Sequence, residues 1–199
     1  MKAAWALAAL TLAACSSPAS ETADAPKEPA TKTAAAATAP AATPAPVKMA
    51  ATLTLAPDGL SIVEAPSGKT KLIPFGIPRA SAELTIGTVQ GAQLDKGSSS
   101  ECGAGTVDYT SYKDNLQLTF QDGKFAGWTI NGASSPLKTA KGIGVGSTRQ
   151  DLDAAYKVDV EDSSLGLLWS TGDLVGLLDI DGIEGLVTDI WDGTVCLID

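Results

Sequence analysis

The dipeptide Asp122-Gly123 limits how this chain can fold more than any other pair of residues in it. Leu116, Leu118 and Phe120 alternate before it, and Phe125, Trp128 and Ile130 follow it. Alternation at period two marks a strand with one apolar face, and Asp-Gly accepts the positive φ angles of a two-residue hairpin turn. An antiparallel hairpin over residues 116–130 is therefore expected.

Short alternating runs recur upstream. Residues 52–56, 60–64 and 71–75 are separated by Pro57-Asp58-Gly59 and Pro66-Ser67-Gly68, and read as three antiparallel strands. Residues 78–90 place Ala82, Leu84, Ile86 and Val89 in a pattern compatible with a short helix, although the Ile86-Gly87-Thr88-Val89 run weakens it. The Gly/Ser-rich passage 97–105 around Cys102 reads as loop, and 106–112 as a further strand. Downstream, Ser147 with Gln150 three positions later has the form of a capping box, opening a helix whose apolar side is Leu152, Ala155 and Tyr156. Strands are expected at 166–170, 174–180 and 185–191.

The two halves match loosely but in order. Phe75-Gly76 and the helix after it correspond to Val145-Gly146 and its helix, Asp122-Gly123 to Asp181-Gly182, and Trp128 to Trp191. The period is roughly 65 residues. The expected fold class is α+β: two tandem modules, 51–135 and 136–199, each a short helix packed on an antiparallel β-sheet, with short N-terminal strands ahead of the first.

The N-terminal quarter is of a different kind. Lys2 supplies a positive charge, Trp5, Leu7, Leu10 and Leu12 lie in an alanine-rich apolar run, and small residues lead to Cys15, which is the layout of a signal peptide over 1–14. Leu12-Ala13-Ala14-Cys15 resembles the lipobox of bacterial lipoproteins, in which the cysteine becomes an acylated mature N-terminus. That resemblance implies lipidation, palmitate included, at Cys15. It also implies a partner membrane reached through the anchor and a place in the cell envelope, with Ser16 after the cysteine favouring an outer membrane protein that faces the periplasm. At roughly 0.8 kcal/mol per buried methylene, two or three acyl chains hold a protein on a bilayer essentially permanently. An ordinary secretory signal with a fortuitous cysteine is the alternative, and the compactness of the match weighs against it.

After the anchor, residues 15–50 are rich in Ala, Pro, Thr and Ser, and Pro26, Pro29, Pro40, Pro44 and Pro46 block helix continuation. With no large apolar side chains to offset ordering entropy, this stretch is expected to be a disordered tether spanning roughly 30 to 35 Å.

Charge is divided unevenly over the rest of the chain. Residues 51–150 carry nine Lys and Arg against eight Asp and Glu, whereas 151–199 carry Lys157 alone against twelve acids. Like charge repels nucleic acid, so no nucleic-acid partner is expected, and basic proteins or cations remain the electrostatically suitable partners. A solubilising acidic face is the simpler account of the same residues.

The 199 residues contain no histidine, which removes Ser-His-Asp triads, Cys-His pairs and zinc-protease motifs together. No catalytic residue, metal site or cofactor is expected. Gly142, Gly144 and Gly146 before the second helix lack both the preceding strand and the Gly-x-Gly-x-x-Gly spacing of a dinucleotide site, so a tight loop-to-helix turn explains them better. Residues 179–184 are dense in oxygen, through Asp179, Asp181 and Glu184, yet they lack the twelve-residue pattern of a calcium loop. Setting Cys15 aside, Cys102 and Cys196 form an even pair in an oxidising compartment and are expected to join in a disulfide.

One further resemblance rests on Gly144-Val145-Gly146-Ser147-Thr148-Arg149-Gln150-Asp151-Leu152, followed by a short helix and a strand meander through Val187-Thr188-Asp189-Ile190. This is similar to the helix-plus-sheet modules of the outer-membrane assembly lipoprotein BamE/SmpA and of the β-lactamase inhibitor protein, the latter a tandem of two. It implies a two-module protein that binds other proteins over a sheet face. Two functions are thus in view. One is a non-catalytic envelope lipoprotein whose tandem repeat binds an envelope protein, as an inhibitor or assembly module. The other is a glycan or small-ligand module, calcium included, with or without weak hydrolase activity, built on Trp169, Trp191, Asp179, Asp181 and Glu184.

Overall fold

The computed structural model describes residues 50–132 and 134–196. The signal-like segment, Cys15 and the Ala/Pro/Thr-rich stretch as far as residue 49 lie outside the described residues.

Three strands come first. β1 (Ala51–Ala56), β2 (Gly59–Glu64) and β3 (Lys69–Pro74) pair antiparallel in that order. The first turn falls at Asp58-Gly59, where Asp58 has φ 63° and a Cβ on Gly59 would collide with the Ile73 carbonyl. Only glycine fits there.

α1 (Arg79–Gln90) follows, with Ala82, Ile86 and Gln90 buried at four-residue spacing on one stripe. It stops at Gly91, φ 82°. β4 (Asp95–Ser99), β5 (Val107–Ser111), β6 (Leu116–Gln121) and β7 (Lys124–Asn131) then run as an antiparallel meander. The β6–β7 turn is the one read from the sequence, and both of its residues have positive φ, Asp122 at 51° and Gly123 at 71°.

α2 (Arg149–Ala155) is capped by Thr148 and Asp151, whose side chains bond each other's backbone N–H groups. The capping box thus sits one residue beyond the expected Ser147. The Ser147 hydroxyl instead accepts from Gly144 N–H at 3.1 Å and closes the glycine turn. β8 (Asp159–Ser163), β9 (Gly166–Ser170), β10 (Val175–Leu178) and β11 (Val187–Gly193) complete the chain. The strands from β4 onward form one eight-stranded antiparallel sheet in the order β4-β5-β6-β7-β11-β10-β9-β8.

The expected α+β fold of two tandem helix-on-sheet modules is corrected by this arrangement. The chain is mostly β, with eleven strands in two sheets and only two helices, of 12 and 7 residues, among the described residues. Two strands escape a reading by hydrophobic alternation, β4 (Asp-Lys-Gly-Ser-Ser) and β8 (Asp-Val-Glu-Asp-Ser). They are the two outer strands of the large sheet, and an edge strand rich in charge needs no apolar face to be recruited. The helix-then-four-strand order does occur twice, but the second run joins the first through β7 and β11, so the sheet is continuous.

The register of the large sheet separates its faces. Leu116, Ile130 and Ile190 stand opposite one another across β6, β7 and β11, as do Leu118 and Trp128 across β6 and β7. All five are fully buried in a cluster with Leu53, Leu55 and Leu60 of the small sheet, Ile86 of α1 and Leu152 of α2. Trp128 Nε1 donates to the Ala56 carbonyl at 3.2 Å and ties the two sheets together. One face of the large sheet is therefore covered, and its side chains in the alternate register point the other way.

Candidate functional site

The alternate register carries mostly polar side chains. Ser111, Gln117, Thr129 and Trp191 lie in one row across β5, β6, β7 and β11, with Tyr109 beside Thr119 and Asn131 beside Asp189 in the flanking rows. All of these side chains but Trp191 line a trough of about 500 Å³ that runs from Asp95 on the edge strand β4 to Leu177 on β10 and Leu165 in the β8–β9 turn. That volume is within the roughly 300–1,000 Å³ of ligand-sized concavities.

One glycine shapes the floor and another the packing on the covered face beneath it. A Cβ at Gly97 would press on the Tyr109 ring, so glycine lets that ring lie across β4, and the Tyr109 hydroxyl donates to Asp95 Oδ2 at 3.2 Å. The Asp95 charge, with this hydrogen bond, pushes the Tyr109 phenol above its ordinary value, so it remains a donor at neutral pH. Gly176 stands opposite Trp169 on β9, and a Cβ there would strike the indole and the Asp189 carbonyl.

Electrostatically the trough has one sign. Its only charged lining residues are Asp95 and Asp189, and neither has a salt-bridge partner among the described residues. Glu161 and Asp159 extend the same sign along β8. Thr119, 1% exposed, lines the trough with a hydroxyl that has no hydrogen-bond partner among the described residues.

The residues singled out from sequence are dispersed. Trp169 is fully buried on the covered face, where its Nε1 has no partner among the described residues, so it offers no ring to a sugar. Trp191 is in the open-face register but only 7% exposed, packed between Thr129 and Val175. Asp179 and Asp181 turn inward on their own loop: Asp179 Oδ1 accepts from Ile180 and Leu186 N–H, and Asp181 Oδ1 from Gly182 N–H. Glu184 is exposed in that loop, well apart from the trough lining. No group of three or more His, Cys, Asp or Glu is placed to hold a metal ion among the described residues.

Cys102 and Cys196 do come together. The chain after β11 crosses Gly127, with Thr194 N–H bonded to the Ala126 carbonyl, and reaches the β4–β5 loop, where the Cys102 thiol donates to the Val195 carbonyl at 3.7 Å. Both cysteines are thiols in the structure. Burial pushes the Cys196 thiol up, and its hydrogen bond with Cys102 acts in the same direction. Cys196 also lines one end of the trough.

Sequence reasoning missed Gln117, Thr119, Thr129, Asn131 and Asp189. The signal was present in the hairpin itself, since Gln117 and Thr119 are the polar members of the alternation that placed Leu116, Leu118 and Phe120 in the core. No protein-family model, curated protein or solved structure matches the chain.

Proposed function

We propose that this chain is a non-catalytic lipoprotein of the bacterial cell envelope, anchored through Cys15, that binds another protein over the open face of its eight-stranded sheet. The observation that carries this reading is a polar trough of about 500 Å³, open among the described residues, on a sheet whose opposite face is packed into the core. A rigid sheet with preset side chains loses little entropy on docking, which favours a partner surface over a mobile loop site. The lipobox-like segment and the Ala/Pro/Thr-rich stretch after it support presentation of that face at a distance from a membrane.

The test is site-specific photo-crosslinking in intact cells. A photoreactive residue in place of Gln117 should form a discrete protein adduct, and one in place of Leu72, half exposed on β3 of the small sheet, should not. Equal background at both positions would overturn the reading.

A further inference from the structure

We infer that the trough receives an extended, lysine- or arginine-bearing segment of the partner protein, clamped between Asp95 and Asp189. This rests on the open face being the partner surface and adds the chemistry of what it takes. Three observations converge on it.

The first is charge. Asp95 stands at the β4 edge and Asp189 on the central strand β11, and no basic residue among the described ones lines the space between them. Asp95 accepts one hydrogen bond, from Tyr109, and Asp189 has neither a salt bridge nor a side-chain hydrogen bond among the described residues. Carboxylates left without counter-ions on a concave wall attract a cation more strongly than the same groups on a convex surface, because the low-dielectric walls focus their field.

The second is an unused donor. The Thr119 hydroxyl, 1% exposed in the floor on β6 one row along from Gln117, has no hydrogen-bond partner among the described residues. A buried hydroxyl without a partner is costly, and an occupant that brings a backbone carbonyl to Thr119 removes that cost. Gln117 one row along and Asn131 beside Asp189 supply further donors and acceptors for a main chain.

The third is span. Asp95 and Asp189 are separated by four strand spacings, roughly 19 Å along the sheet before curvature. An extended chain rising about 3.3 Å per residue covers that distance in about six residues. Two basic side chains six positions apart, on one face of the extended segment, with the intervening main chain over Gln117 and reaching Thr119 beside it, match the trough, and a lone small cation does not.

The experiment uses the same photoreactive residue at Gln117 in the full chain, with the adduct digested and the contacted partner segment sequenced. The expected segment carries Lys or Arg within a few residues of the adduct. Asp95→Asn combined with Asp189→Asn should lower adduct yield about tenfold or more, the effect of losing charge-assisted bonds. Asp162→Asn, which removes one charge from the other register of β8, should leave the yield unchanged. Circular dichroism melts of both variants confirm that they fold. An adduct on a segment lacking basic residues, or a yield indifferent to the paired substitution, overturns this inference while leaving the open face as the partner surface. No adduct at all overturns both.

Discussion

Cys196 lies against Cys102, with the Cys102 thiol held at 3.7 Å from the Val195 carbonyl, so the end of the described chain is brought to the loop between β4 and β5. Exposed to a disulfide oxidant such as oxidised glutathione, the pair is expected to close, each sulfur giving up its hydrogen. A loop of some 94 residues would then be cross-linked, which chain entropy rates at roughly 4 to 5 kcal/mol as an upper figure. Intact mass of the oxidised protein should fall two hydrogens below the reduced form, and the melting temperature should drop on addition of dithiothreitol. Free thiols at both positions after oxidation would refute the pairing. Because burial raises the Cys196 thiol, closure should speed up as pH rises above the range of an ordinary thiol.

Cys15→Ala tests the anchor. The variant should lose incorporation of labelled palmitate and move from the membrane to the soluble envelope fraction, while the folded part keeps its circular dichroism spectrum. Retention of label would mean that lipid is attached elsewhere.

Two carboxylates give opposite responses to acid. Burial pushes Asp192 above its ordinary value despite hydrogen bonds from Asp58 and Gly193 N–H, so its folded form costs stability once ionised. That cost is absent below the unfolded value of 3.8 and complete above the raised folded value. Burial acts upward on Glu83 too, but bonds from Arg79 and Thr110 and the Arg79 charge outweigh it, and its contribution is lost as pH falls from 4.5 through the lowered folded value. Asp192→Asn removes the charge but keeps only one of the two oxygens that separately accept the Asp58 and Gly193 N–H groups, so its stability relative to the parent in urea melts should rise from pH 3.5 to pH 7 as the parent carboxyl ionises.

Gly176→Ala and Gly87→Ala should move stability in opposite directions. At Gly176 the added methyl meets the Trp169 ring and the Asp189 carbonyl, and overpacking of that kind costs about 1–3 kcal/mol. At Gly87, inside α1, the methyl meets nothing within 4 Å and the φ is ordinary, so alanine should add up to about 1 kcal/mol. Chemical denaturation of the two variants decides it.

The elements legible in the sequence are those whose packing comes from their own alternation. The 116–130 hairpin, the three N-terminal strands, the span of α1 and strand 166–170 all appear where their apolar residues put them. β4 and β8 are illegible because nothing in Asp-Lys-Gly-Ser-Ser or Asp-Val-Glu-Asp-Ser needs burial, and their neighbours β5 and β9 recruit them through backbone bonds alone. The candidate site is obscured for a related reason. Tryptophans and dense acids attract attention, yet Trp169 fills the core and Asp179 and Asp181 stiffen a turn, while the open trough is built of Gln, Thr, Asn and single Asp residues that resemble any solvated strand face.

β11, the last of these strands in sequence, occupies the middle of the eight-stranded sheet, between β7 and β10. A chain emerging N-terminus first therefore cannot finish its sheet until Val187–Gly193 have been released, because the two halves have no seam to join along before then. Until that moment the polypeptide stays threadable, and a premature stop before Val187 removes the keystone rather than trimming an end.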